Sequence, residues 1–203
     1  MRPHKNPELG SFKSFHTAAW DRYSPTTNAP ERVPDATLDQ AMSEFQSGSK
    51  ELAYEILSSH PNLASDANAL NAAGVMEMFF ENFASAERSF TRSISLLEKR
   101  KSVALANLAT VHIYQRDWEK AEKFSEQATR TSSDVPHGWI NLLFILARTA
   151  QYDKLLAEFD RMETEFPSWR ECTDLTERLT KDTIPALGRN PTVKSKIETS
   201  ISK

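Results

Sequence analysis

Cysteine is nearly absent from this 203-residue chain: Cys172 stands alone, so no internal disulfide can form, and a reducing compartment, by default the cytoplasm, is the expected setting. Glycine is scarce too, with 5 residues in all, which removes many of the turns a mostly β protein needs and favours helix. Long apolar runs are missing. The longest, WINLLFILA from Trp139, is less than half of the roughly 20 residues a membrane-spanning helix requires and reads as a buried helix. Charge of one sign is missing as well: a net charge of -3 and a pI near 6.0 give no general attraction to phosphate backbones, and no basic patch of any size stands out. The opening MRPHKNPELGSFKSF is positively charged but lacks an apolar h-region after it, so no secretory signal is expected.

The signatures of catalysis are equally thin. His4, His16, His60, His112 and His137 form no HExxH pair and no regular spacing with Cys172, so neither a metal nor a cofactor is expected. No G-x-x-x-x-G-K-[ST], G-x-G-x-x-G or G-x-S-x-G occurs, which leaves phosphate cradles and nucleophile elbows without support. Cys172 falls on an apolar stripe with Trp169, Leu175 and Leu179 and is expected as a small buried thiol. An enzyme here would have to be unconventional; the expectation is a protein without catalytic activity.

What the chain does contain is a period. The segments SGSKELAYEILSS from Ser47, ENFASAERSFTRS from Glu81, RDWEKAEKFSEQA from Arg116 and AQYDKLLAEFDRM from Ala150 align so that Ala53, Ala86, Ala121 and Leu155 superimpose, 33, 35 and 34 residues apart. Such a spacing marks a repeat array. Each repeat divides into two helical patterns around a turn. Leu105, Leu108, His112 and Ile113 recur at helical spacing, and Asp117 then caps a second pattern with Trp118, Ala121, Phe124 and Ala128. The small residues Ala86, Ala121 and Ala128 let two helices approach closely, while Phe83, Trp118 and Tyr152 supply area just after the turns. The charges Glu119, Lys120, Glu122, Lys123 and Glu126 fall on the opposite face and are expected to be solvated. Pro61 and Pro167 follow second helices, and Pro136 stands where a first helix starts.

On these residues the chain resembles the tetratricopeptide repeat (TPR) family, most clearly at Leu70, Ala73, Gly74, Phe83, Ala86 and Phe90, at Leu105, Leu108, Ala109, Trp118, Ala121 and Ala128, and at Trp139, Leu142, Tyr152, Phe159 and Pro167. The resemblance implies an all-α fold: a right-handed superhelix of antiparallel helix pairs, about four repeats plus caps. It departs where the family's first-helix aromatic falls on Glu77 and His112, and where Leu155 replaces an alanine. The expected organisation is an N-terminal arm over 1–33, a repeat domain over 34–184 and a capping segment over 185–203. In the arm, Phe12, Phe15, Ala19, Trp20 and Tyr23 share one helical stripe, a candidate docking helix for the chain's own repeats or for another copy, which would make a homo-oligomer. At the far end Val193, Ile197 and Ile201 outline a last short helix.

The resemblance also implies where a partner would lie, because first helices line the groove in that family. Projected here, the lining is Asn71, Val75, Met78 and Phe79, then Val103, Asn107, Thr110 and Tyr114, then His137, Asn141, Phe144 and Arg148. Asn107 and Asn141 hold equivalent places, and an amide there can both donate to and accept from the backbone of an extended ligand. Val103 and His137 stand where a carboxylate clamp would want basic residues, so the expected partner is an internal peptide or helix with apolar anchors. A non-catalytic adaptor or scaffold is the main expectation. The alternative is a structural subunit of a larger assembly of the coat or tether type. RNA recognition by helical repeats is a weaker reading, since Arg148 is the one certain cation of the projected groove.

Overall fold

Turns set the period of this molecule, and all four are made on one plan. The computed structural model describes residues 35–97, 101–188 and 190–202. Gly48, Glu81, Arg116 and Ala150 adopt positive φ of 106°, 61°, 60° and 56°. They are separated by 33, 35 and 34 residues, the same steps that separate the aligned small residues. After each of them the chain closes back on the helix it has left: Ser49 N–H donates to Glu44 O, Asn82 to Glu77 O, Asp117 to His112 O and Gln151 to Leu146 O, all at 2.8 to 2.9 Å. This C-terminal closure gives the orphaned carbonyls a donor and requires one left-handed residue. Only the first of the four turns supplies a glycine.

Two compact units result, one ending at Leu97 and one beginning at Glu98. In the first, α1 spans Ala36–Ser47, α2 Lys50–Ser58, α3 Ala67–Phe79 and α4 Phe83–Leu96, with a 3-10 turn at Leu63–Ser65. Asp35 caps α1 by accepting from Leu38 N–H at 2.9 Å, and Asp66 caps α3 by accepting from Asn68 and Ala69 N–H at 2.8 Å. α3 is apolar on nearly every side and is buried continuously from Ala69 to Met78, whereas α4 is amphipathic and buries Ala86, Phe90 and Ser93. Their contact depends on Gly74: a Cβ there would come within 2.6 to 2.8 Å of the Phe90 ring.

In the second unit α5 spans Ser102–Gln115, α6 Trp118–Thr131, α7 Pro136–Arg148 and α8 Tyr152–Glu165. After a 3-10 turn at Trp169–Glu171, α9 (Thr173–Arg178) runs through a π turn at Leu179–Thr183 into α10 (Ile184–Ala186), and α11 (Pro191–Ile201) follows. The π turn precedes Pro185, which has no N–H to give to the Lys181 carbonyl four residues back, so the ladder widens there. Pro136 opens α7 and Pro191 opens α11 at positions where a missing N–H is harmless. Ala121 and Ala128 are fully buried, as close helix approach requires, and α7 is buried from Pro136 to Ala147. Leu175, Leu179, Val193 and Ile197 are buried and Ile201 half-buried. Every regular element among the described residues is helical, as expected.

Two expectations need correction. Cys172 is half-exposed, because α9 begins one residue later and leaves it at the N-cap, off the buried stripe of Leu175 and Leu179. Glu122 and Glu126 are not simply solvated: their side chains are 18% and 23% exposed, and both meet the Lys154 ammonium of α8 at 2.5 Å. The arm residues Phe12, Phe15, Ala19, Trp20 and Tyr23 lie outside the described residues.

Candidate functional site

The projected lining divides between the units. In the first, α3 places Asn71, Val75 and Met78 in buried positions and leaves Phe79 half-buried at its C-terminal end. Phe79 meets Phe45 edge-on at 5.6 Å and Phe80 at 5.5 Å, and Tyr54 continues the row by meeting Phe80 at 5.9 Å. The Lys50 ammonium lies 3.9 Å from the Phe45 ring centre, a cation–π contact within the unit. Phe80 at 38% and Leu52 at 46% exposure are the exposed large apolar side chains of this unit among the described residues.

In the second unit, α5 carries Val103 and Tyr114 half-buried and Asn107 and Thr110 buried, while α7 carries His137, Asn141 and Phe144 buried and Arg148 exposed. Two of these are brought together. Asn141 Nδ2 donates to Ala106 O at 2.8 Å and to Thr110 Oγ1 at 3.0 Å, and the Thr110 hydroxyl donates to Ala106 O at 3.0 Å. The asparagine therefore pins α7 to α5, and its donor is committed inside the unit. Its Oδ1 is buried with no hydrogen-bond partner among the described residues. Asn71, Asn107, Tyr114, His137, Phe144 and Arg148 are each engaged in polar, charged or ring contacts. His137 is held neutral at ordinary pH: burial, and then the charge of Arg178 on α9, push its pKa down to about 4. At neutral pH this face thus carries apolar, amide and hydroxyl side chains and an uncharged His137, with Arg148 at its edge.

A second cluster went unforeseen in the sequence. Asp35, His60 and Asp66 bring ligand-type atoms within 4.8 Å of one another in the first unit. Their hydrogen bonds give the arrangement a structural account. His60 Nδ1 accepts from Asn62 N–H at 3.2 Å, which puts the ring proton on Nε2, and Nε2 faces Asp35 Oδ2 at 2.5 Å. A metal on Nε2 would drive that proton to Nδ1, against the Asn62 N–H. Both aspartates are already employed as helix caps. The Asp35–His60 contact clasps the start of α1 to the end of α2, and Asp66 at the start of α3 lies beside it. An aspartate placed directly ahead of a helical apolar pattern, as in DATL and DANAL, is the sequence signal that could have located it.

No helix among the described residues is long and apolar enough to cross a membrane. No family model matches the sequence, and no curated protein matches it. Among solved structures the chain is similar to YrrB, described as a TPR protein with an unusual peptide-binding site, with a TM-score of 0.53 and 14% identity over 80% of this chain and 90% of that one. The likeness is one of fold: paired antiparallel helices of the TPR type.

Proposed function

We propose that this chain is a non-catalytic protein-interaction module, an adaptor or scaffold that takes a peptide or helix of a partner protein on the first-helix faces of its repeats. The observation that carries this reading is the TPR-type fold, together with the row of first-helix residues that offer amide, hydroxyl and apolar contact without a nucleophile or a cofactor cradle among them. In the second unit Val103, Asn107, Tyr114, Phe144 and Arg148 would meet the ligand, with Asn141 and Thr110 fixing the spacing of α5 and α7 beneath it. In the first unit Asn71, Val75, Met78 and Phe79 hold the corresponding places. No nucleic acid, membrane insertion, metal or cofactor enters the reading, and its setting is the cytoplasm.

The reading as a subunit of a larger assembly gains from the deep burial of Asn71, Asn107 and His137, at 4 to 5% exposure, which leaves the second helices and the aromatic row at Phe80 as the open surfaces. The two readings separate by substitution. Replacing Tyr114 and Arg148 with alanine touches a half-buried and an exposed side chain, so the helical circular-dichroism signal should persist while a captured partner is lost. If the partner stays bound to this variant but is lost on Phe80→Ala, the first-helix face of the second unit is not the binding surface.

A further inference from the structure

Glu77 occupies the first-helix position that His112 occupies 35 residues later, a place where the fold would accept an aromatic ring. The residue is 8% exposed, and its carboxylate is held by residues of two other helices. Tyr54 Oη of α2 donates to Oε1 at 3.3 Å, and Ser89 Oγ of α4 donates to Oε2 at 2.7 Å. Both donors are neutral hydroxyls. The one charge that supports the ionised form is Arg88 of α4, an exposed side chain whose guanidinium bonds Ser85. Among the described residues α1 adds no charge to it. A carboxylate placed out of water, hydrogen-bonded by hydroxyls and supported only by the charge of an exposed arginine, is poorly compensated, since hydroxyl donors replace only part of its hydration.

We propose that Glu77 is a proton-operated latch of the first unit: with its carboxyl protonated the join of α2, α3 and α4 is tight, and ionisation loosens it. Burial is the largest influence on this group and raises its pKa above the ordinary 4.5; Ser89, Tyr54 and Arg88 pull the other way without cancelling it. The protonated acid also fits the hydrogen bonding. A carboxylic acid has a donor to give, and the Tyr54 hydroxyl can turn from donor to acceptor without moving its ring. Burial and the nearby Glu77 charge raise the Tyr54 phenol as well, so it keeps its proton across the range in which Glu77 titrates. Because the folded value lies above the unfolded one, the stabilising contribution is complete below about 4.5 and is lost as pH rises through the folded value. The latch lies beneath the exposed aromatic edge, since the Tyr54 ring that reaches Glu77 packs against Phe80 at 5.9 Å.

The test uses the full chain. The carboxyl carbon of Glu77 is titrated by NMR in the wild type and in Tyr54→Phe, and urea unfolding of residues 35–97 is followed by their amide signals from pH 4 to 8 in the wild type and in Glu77→Gln. The expected results are a Glu77 midpoint above those of the exposed glutamates, a further upward move in Tyr54→Phe, and a wild-type urea midpoint that falls with rising pH relative to Glu77→Gln. A Glu77 midpoint at or below the exposed glutamates overturns the proposal, as does a wild-type and Glu77→Gln difference that is flat across the range. Should Glu77→Gln not fold, the two carboxyl titrations decide the question alone.

Discussion

The first unit buries an acid, Glu77, and the second buries a base, His137, and the same loss of water acts on them with opposite sign. Burial disfavours the charged form of either group, so the acid is pushed toward holding its proton and the base toward losing it. The units should therefore respond to acid in opposite directions although both consist of the same helix pairs. The difference teaches that a polar residue tolerated inside a repeat need not be inert. Each sets a pH range in which its unit is comfortable, and the fold alone does not reveal which.

The largest effect expected from this contrast belongs to His137. Its folded pKa of about 4 lies below its ordinary 6.5, so its stabilising contribution is complete above 6.5 and is lost as pH falls through 4. A difference of this size corresponds to about 3 kcal/mol. Arg178, which faces it from α9 and is paired with Asp182 at 3.0 Å, sharpens the penalty by opposing a second positive charge. Urea unfolding read from amide signals of residues 101–202 should weaken between pH 6.5 and 4, the range in which the first unit holds or gains. An imidazole signal of His137 that titrates near 6.5 would remove the contrast.

Next in size is a steric contrast at the glycines. Gly74 in the first unit has the Phe90 ring against the position of its missing Cβ, at 2.6 to 2.8 Å, and three ring atoms crowd the same spot. Gly138 in the second unit would place a Cβ at 3.1 to 3.2 Å from Thr129 and Ala128, a contact tighter than most that a Cβ makes, which a shift of a few tenths of an ångström by these neighbours would relieve. Gly74→Ala should destabilise the first unit by about 1 to 3 kcal/mol despite its gain in helix propensity. Gly138→Ala should stay within about 1 kcal/mol of neutral, since the propensity gain of about that size offsets the contact. The places corresponding to Gly74 and Phe90 in the second unit are Ala109 with Ser125 and Leu143 with Phe159, so partner size is adjusted repeat by repeat. Adding Phe90→Leu to Gly74→Ala should accordingly recover part of the loss, which separate measurement of both single variants would check.

Much of this architecture was legible in the sequence because its signal is volume at fixed spacing. Ala53, Ala86 and Ala121 gave the period, and Asp117 and Pro136 gave helix starts that the structure keeps. The candidate faces were less legible for two physical reasons. Apolar patterning shows that α7 is covered all round but not what covers it, so the burial of His137 and Asn141 could not be read from WINLLFILA and its surroundings. Contacts between helices far apart in the chain leave no local trace: nothing near Glu122 or Glu126 shows that Lys154, about thirty residues on, will gather both, and nothing near Glu77 shows Tyr54 and Ser89 converging on it.

The turns stand where the repeat alignment puts them, but their left-handed backbone left no mark in the sequence, and this leads to the smallest effect. A left-handed position is recognised in sequence by glycine, and three of the four within-repeat turns carry Glu81, Arg116 and Ala150 there instead. Each endures a clash between its Cβ and the following carbonyl worth about 1 to 2 kcal/mol, partly offset because glycine would lose more backbone entropy on folding, about 0.5 to 1 kcal/mol. Glycine at each should therefore stabilise by about 0.5 to 1 kcal/mol. The second unit, with two such turns, should gain about twice what the first can. Ala150→Gly is the cleanest case, since alanine has nothing beyond Cβ to lose, whereas Glu81 gives up a contact and should return less. Gly48→Ala supplies the reverse measurement at a turn where no atom lies within 4 Å of the added Cβ, so any loss reports backbone strain in excess of the entropy that alanine saves. If Gly48→Ala leaves the urea midpoint of the first unit unchanged, the strain of a left-handed turn is no larger than the entropy glycine loses, and the gain expected from Ala150→Gly disappears with it.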